Sequence, residues 1–107
     1  MKLLTKAIRK KLPPLYSQDK LGGKALAYVK LFTPDSNWTF YITEFNGKDT
    51  FFGLVDGFCK ELGYFNLSEL QKARGPLGLP VERDLHWRPK RLDEIVPELF
   101  PPDNPGQ

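Results

Sequence analysis

ALAYVKLFTPDSNWTFYITEFNGKDTFFGLVDGF, residues 25–58, is the stretch on which the fold turns. It contains three segments rich in β-branched and aromatic residues, Leu26–Thr33, Thr39–Phe45 and Thr50–Phe58, a composition that suits a pleated, half-buried surface. Pro34-Asp35-Ser36-Asn37 separates the first two, with proline presetting φ and short polar side chains bonding nearby backbone. Asn46-Gly47-Lys48-Asp49 separates the second and third, and Asn-Gly supplies the positive φ of a tight hairpin. Strands joined by connections this short run antiparallel. The stretch therefore predicts a three-stranded meander.

Alternation assigns the faces. Phe40, Ile42 and Glu44 share one side of the second strand, and Tyr41, Thr43 and Phe45 the other. In the third, Phe52, Leu54 and Phe58 oppose Phe51 and Val55. Apolar residues on both sides imply a sheet covered by helices on one face and partly shielded on the other. Gly53 and Gly57 inside an apolar strand predict a bulge, or the close approach of a backbone or an aromatic ring.

Upstream, Leu3, Leu4, Ala7, Ile8 and Leu12 recur at helical spacing; Thr5 is the natural N-cap and Pro13-Pro14 the stop. Residues 13–24 read as a loop, most flexible at Gly22-Gly23. Downstream, Asn66-Leu67-Ser68-Glu69 reads as a capping box for a short helix to Ala73. Val81 to Trp87 predicts an extended segment at or across a sheet edge, and Leu92 to Leu99 a last helix broken at Pro97. The expected architecture is α+β: an antiparallel meander of three or four strands with two or three short helices packed on it. Residues 1–100 form one domain in this reading, and the proline-rich residues 101–107 a loose tail.

At 107 residues the chain can bury roughly two-thirds of its open-chain surface, enough for a core without staples. Its apolar content of 40% and charged content of 27% exclude a disordered or fibrous chain. Apolar runs are far short of the ~20 residues that cross a bilayer, and no secretory h-region follows Lys2. Cys59 is the single cysteine, which excludes an internal disulfide and a thiolate zinc cage. These features predict a soluble cytoplasmic protein with no membrane partner.

The formal charge of +3 is uneven. Residues 1–30 carry Lys2, Lys6, Arg9, Lys10, Lys11, Lys20, Lys24 and Lys30 against Asp19 alone; residues 31–70 are net acidic, and the remainder is balanced. A basic end attracts phosphate backbones or acidic protein surfaces. It comes without a helix-turn-helix, zinc-finger or RNA-reading motif, so a solvated helix face with a lysine-bearing loop is favoured over a nucleic-acid role.

Taken together, KLLTKAIRKKLPPLYSQ, KLFTPDSNWTFYITE, FFGLV, ELGYFNLSEL and GPLGLPVERDLHW resemble a bacterial family known as domain of unknown function 2958, across roughly residues 2–98. The resemblance implies a small bacterial protein often carried on plasmids, phages and integrated elements, alone or joined to DNA-processing proteins. It implies no activity, cofactor or catalytic residue. The family pattern favours tyrosine or phenylalanine where this chain has His86-Trp87, which weighs against an essential imidazole.

Candidate chemistry is sparse. Glu82, Asp84 and His86 alternate, so on an extended segment they share a face and could hold a divalent metal for hydrolysis. Arg83 and Arg88 offer them structural partners instead. Glu44 and Asp56 are acids within apolar strands, for which Arg74 and Arg83 are the available partners. Glu44, Arg74, Glu82, Arg83, Asp84 and His86 form the candidate polar cluster. Cys59, beside Phe58 and Leu62, reads as a small buried hydrophobe. Trp38, Tyr64 and Trp87, with Lys6, Arg9, Lys10 and Lys11, form the candidate interaction surface, because aromatics beside cations anchor interfaces. The expectation is a binding module without catalytic residues, metal or cofactor, with a protein partner favoured over nucleic acid. The alternatives are a metal-assisted hydrolase on Glu82, Asp84 and His86, and nucleic-acid binding by the basic N-terminal helix.

Overall fold

The computed structural model describes residues 2–102. The central sheet has five strands in the order β5-β4-β3-β2-β6, every neighbouring pair antiparallel. β2 is Val29–Phe32, β3 Thr39–Phe45, β4 Thr50–Asp56, β5 Lys60–Asn66 and β6 Glu82–Arg83. A two-stranded ribbon, β1 (Leu26–Ala27) with β7 (Lys90–Arg91), stands apart from it. The helices are short: α1 Lys6–Lys11, α2 Leu67–Lys72 and α3 Leu92–Ile95. Two 3-10 segments, Asp19–Lys24 and Pro97–Leu99, complete the set.

The α+β class and the antiparallel meander are as the sequence predicts. The strand expected over Leu26–Thr33 is split at Tyr28, whose N–H crosses to Ile42 O at 2.8 Å while Leu26 and Ala27 turn away to β7. The strand expected to run to Phe58 stops at Asp56, because Gly57 N–H donates to Cys59 O and closes a turn into β5. β5 has no counterpart among the predicted strands; with Lys60, Glu61 and Gly63 in seven residues it is tolerated because an edge strand stays in water.

Alternation along β3 fails at one point. The pairing runs Ile42 with Gly53 and then Glu44 with Phe52, so Thr43 is an extra, bulged residue. The bulge exchanges the faces of the residues beyond it: Phe45 joins Phe40 and Ile42, and Glu44 joins Tyr41. Gly53 is required opposite, since a Cβ there would lie 2.0 Å from Tyr41 O.

Both faces are covered. Leu3, Leu4, Leu12, Leu67 and Leu70 seal one face over Val29, Leu31, Ile42, Phe45 and Phe51. On the other, Ala25, Ala27, Leu92 and Val96 pack on Leu54, with Tyr41 and Trp87 alongside.

Thr5 caps α1 as expected, accepting from Ile8 N–H at 3.2 Å. The capping box at Asn66 does not form: the Asn66 amide donates to Glu69 Oε1, and Asp49 caps α2 from the neighbouring hairpin. Its carboxylate accepts from Ser68 N–H at 2.7 Å and Ser68 Oγ at 2.8 Å, and its carbonyl from Leu67 N–H. The segment expected to be extended from Val81 to Trp87 pairs with β2 at Glu82 and Arg83, with one further bond from Asp84 N–H to Lys30 O at 2.9 Å. The last helix breaks at Pro97 as predicted. The loose tail expected over 101–107 lies, from 103 onward, outside the described residues.

Candidate interaction surface

The expected polar cluster is gathered in part: Glu82, Arg83, Asp84 and His86 line one cleft, while Glu44 and Arg74 lie apart from it. Glu44 is 2% exposed and sits on the far side of the bulge, where its carboxylate accepts from Tyr16 N–H at 2.8 Å and Gln18 N–H at 2.7 Å. Among the described residues no ion pair joins it to a guanidinium; Arg74 donates instead to the carbonyls of Gln71 and Ala73. Gln18, itself buried, extends the network by donating to Thr43 O and Leu26 O and accepting from Leu26 N–H. Glu44 thus pins the 13–18 loop, including Tyr16 at φ 73°, onto the sheet.

Glu82, Asp84 and His86 line one cleft but not as one extended strand, because β6 ends at Arg83. Asp84 Oδ1 accepts from the backbone N–H of His86 at 2.9 Å and turns the chain away, while Oδ2 lies 3.8 Å from Lys30 Nζ. Arg83 donates to Lys2 O, tying the N-terminal segment to β6. The His86 side chain is exposed. Among the described residues no three His, Cys, Asp or Glu side chains come together as a group that could hold a metal.

The expected aromatic surface is divided as well. Trp87 is a half-buried prop: its Nε1–H donates to Ala27 O at 2.9 Å, its ring meets Tyr41 at 5.5 Å, and the ammonium groups of Lys30 and Lys90 lie over it. Tyr64 is half exposed on edge strand β5, against Phe52 and Tyr16, toward the opposite end of the sheet from Trp38. Lys6, Arg9, Lys10 and Lys11 are exposed on α1, and Arg9 stacks over Phe45 at 5.5 Å.

Trp38 is half-buried and supports an exposed ring. The Thr33–Trp38 turn is closed by Thr33 N–H to Trp38 O at 3.0 Å and by Trp38 N–H to Thr33 Oγ1 at 3.1 Å. The indole lies against Gly57, where a Cβ would come within 2.4 Å of the ring. It stacks on Phe40 at 6.3 Å and meets Phe58 edge-on at 5.3 Å. Phe58, at the tip of the β4–β5 turn, is 97% exposed, and Leu85 is 64% exposed. A cleft of about 670 Å³ on the other side of Trp38 is lined by Trp38, Phe32, Lys30, Asp84, Leu85 and His86 among others.

Phe58 and Leu85 escaped the sequence reading. Both looked like strand or core residues, and only the turns that end β4 and follow β6 bring them into water. Cys59 corrects an expectation: it is exposed beside Phe58, and a hydrogen bond to Glu61 holds its thiol above its ordinary pKa.

A five-stranded antiparallel sheet with short helices on both faces and an aromatic end defines a small α+β protein, without the convergent side chains of a metal centre among the described residues. Residues 3–94 match the family described as protein of unknown function DUF2958, and the chain belongs to that family. No curated protein and no solved structure matches it. No helix among the described residues is long and apolar enough to cross a membrane.

Proposed function

We propose that this protein is a non-catalytic protein-binding module whose docking surface is the Trp38–Phe58–Leu85 end of the sheet. The carrying observation is Phe58: a phenylalanine left 97% in water, braced edge-on by a tryptophan that rests on glycine. Burying such a side chain is worth about 1.5–3 kcal/mol, and no intramolecular contact provides that burial here. Large apolar groups exposed together beside a cleft are the usual anchors of an interface. Asp84 and Lys30, occupied with each other and with the His86 turn, give that cleft a polar rim. The partner we favour is a protein of a mobile element's machinery, in the bacterial cytoplasm; the family resemblance supports this choice.

Affinity capture from a host bacterium, read by mass spectrometry, tests the reading with wild type beside Phe58→Asp. The side chain makes so little contact that the variant should unfold within about 0.5 kcal/mol of wild type. A partner recovered by wild type should fall about thirtyfold with the variant, the effect of losing an interface anchor. A partner held equally by both, or no protein recovered at low salt, refutes the proposal.

A further inference from the structure

Four cations converge through tertiary structure on a second cleft. Lys2 and Lys6 come from the N-terminal segment and the start of α1, Arg9 from the next turn, and Arg74 from beyond α2. They line a hollow of about 840 Å³ whose walls include Leu79 and Pro80 and whose single carboxylate is Glu82. None of the four cations forms an ion pair among the described residues, where the pairs are Lys30–Asp84, Lys60–Glu98 and Arg91–Asp93. Two are held in place without being neutralised. Arg74 Nη1 is fixed by the carbonyls of Gln71 and Ala73, and Arg9 by the face of Phe45. The floor is aliphatic, made by Leu3, Leu4, Leu70 and Val81.

We propose that this cleft docks an acidic peptide segment of a partner protein, one carrying carboxylates around a short aliphatic stretch. A guanidinium held by backbone carbonyls is preorganised for a carboxylate, because less rotamer freedom is lost on binding. Like charges crowded around a concave wall focus a positive potential that an acidic segment neutralises. A nucleic-acid strand suits the cleft less well: no aromatic ring is among the lining residues, so there is no platform on which bases stack. The site uses none of Trp38, Phe58 and Leu85, and stands or falls separately from them.

The experiment uses the full chain at roughly physiological salt, where the Debye length of about 8 Å confines each charge to its own neighbourhood. The probe is a fluorescein-labelled twelve-residue peptide of glutamates interrupted by two leucines, followed by anisotropy and by backbone amide shifts. Binding should move amides of residues 2–9 and 70–82. Lys6→Glu with Arg74→Glu should weaken it at least tenfold, whereas Lys10→Glu with Lys11→Glu, on the same helix but outside the cleft, should weaken it less than threefold. Circular dichroism checks that each variant is folded, and the amide shifts of wild type decide the matter if one is not. The proposal is overturned if the peptide does not bind, or if its glutamine counterpart binds as well. Equal losses from the two double variants overturn it too, as does tighter binding of a twelve-nucleotide oligothymidylate to the same residues.

Discussion

Replacing Glu44 by glutamine should be among the most damaging conservative substitutions in this chain. The carboxylate is 2% exposed and its oxygens are divided between two backbone donors, Tyr16 N–H at 2.8 Å and Gln18 N–H at 2.7 Å. A hydrogen bond to a charged acceptor contributes about 1.5–3 kcal/mol, and an amide left without one in a dry site costs a further desolvation penalty. Glutamine keeps one carbonyl oxygen and sets its own NH2 against the second amide, so one bond is lost and two donors face each other. The expected cost is about 2–3 kcal/mol, on the order of 10–20 °C in Tm for a domain of this size. Urea titration with matched m-values would measure it. Because Gln18 links the same loop to Thr43 and Leu26, Glu44→Gln and Gln18→Ala should be less than additive in a double-mutant cycle. The loss should persist in 1 M salt, since the partners are amides and not cations. A variant within about 0.5 kcal/mol of wild type, or one whose defect disappears in salt, would refute the anchoring role.

Two further outcomes concern the surface groups. The Cys59 thiol is held above its ordinary pKa by its hydrogen bond to Glu61 and then by slight burial, so iodoacetamide at pH 8 should modify it more slowly than a free cysteine. Glu61→Gln should speed that reaction, and an unchanged rate would remove Glu61 as the cause. Asp93 is held below the usual carboxylate range by Arg91, and Glu98 by Lys60. A carboxyl lowered in the folded state stabilises it above the unfolded pKa of roughly 4 and loses that contribution as pH falls through the folded value. Urea midpoints should therefore decline on the acid side of pH 4, less steeply in Glu98→Gln, and an unchanged slope would show that the exposed Lys60–Glu98 pair contributes nothing.

The meander was legible because its information is local. Pro34–Asn37 and Asn46–Asp49 are turn sequences between apolar runs, and the Asn46 side chain bridges its own hairpin by accepting from the N–H groups of Lys48, Asp49 and Thr50. Gly53 and Gly57 also signalled correctly, one facing the backbone of Tyr41 and the other the ring of Trp38. The features that escaped are tertiary. One inserted residue at Thr43 moves Glu44 from the face shared with Ile42 to the face of Tyr41, which no period-two reading can see. Asp49 replaces Asn66 as the cap of α2 because strand pairing brings the hairpin beneath the helix. Arg74 shares a cleft with Lys6 only after α2 has packed on the sheet. Such placements depend on pairs far apart in sequence, and a propensity carries no trace of them.

The two clefts adjoin. Glu82, on the two-residue strand β6, lines both, so only the width of a strand divides the aromatic end from the basic hollow. Asp35 joins them a second time. It belongs to the Thr33–Trp38 turn that presents the indole, yet its Oδ2 accepts from Leu77 N–H at 2.8 Å and Leu79 N–H at 3.3 Å, fixing the loop that walls the basic cleft. The fit is close enough that a Cβ on Gly75 would fall 1.6 Å from Asp35 Oδ1. Segments with little regular structure of their own, residues 34–38 and 74–81, are thus held by buried or half-buried carboxylates bonded to backbone, as Glu44 holds residues 13–18. Carboxylates bonded to backbone in this way position loops. Asp35 thereby shapes both exposed clefts, since the turn it belongs to walls one and the loop it bonds walls the other.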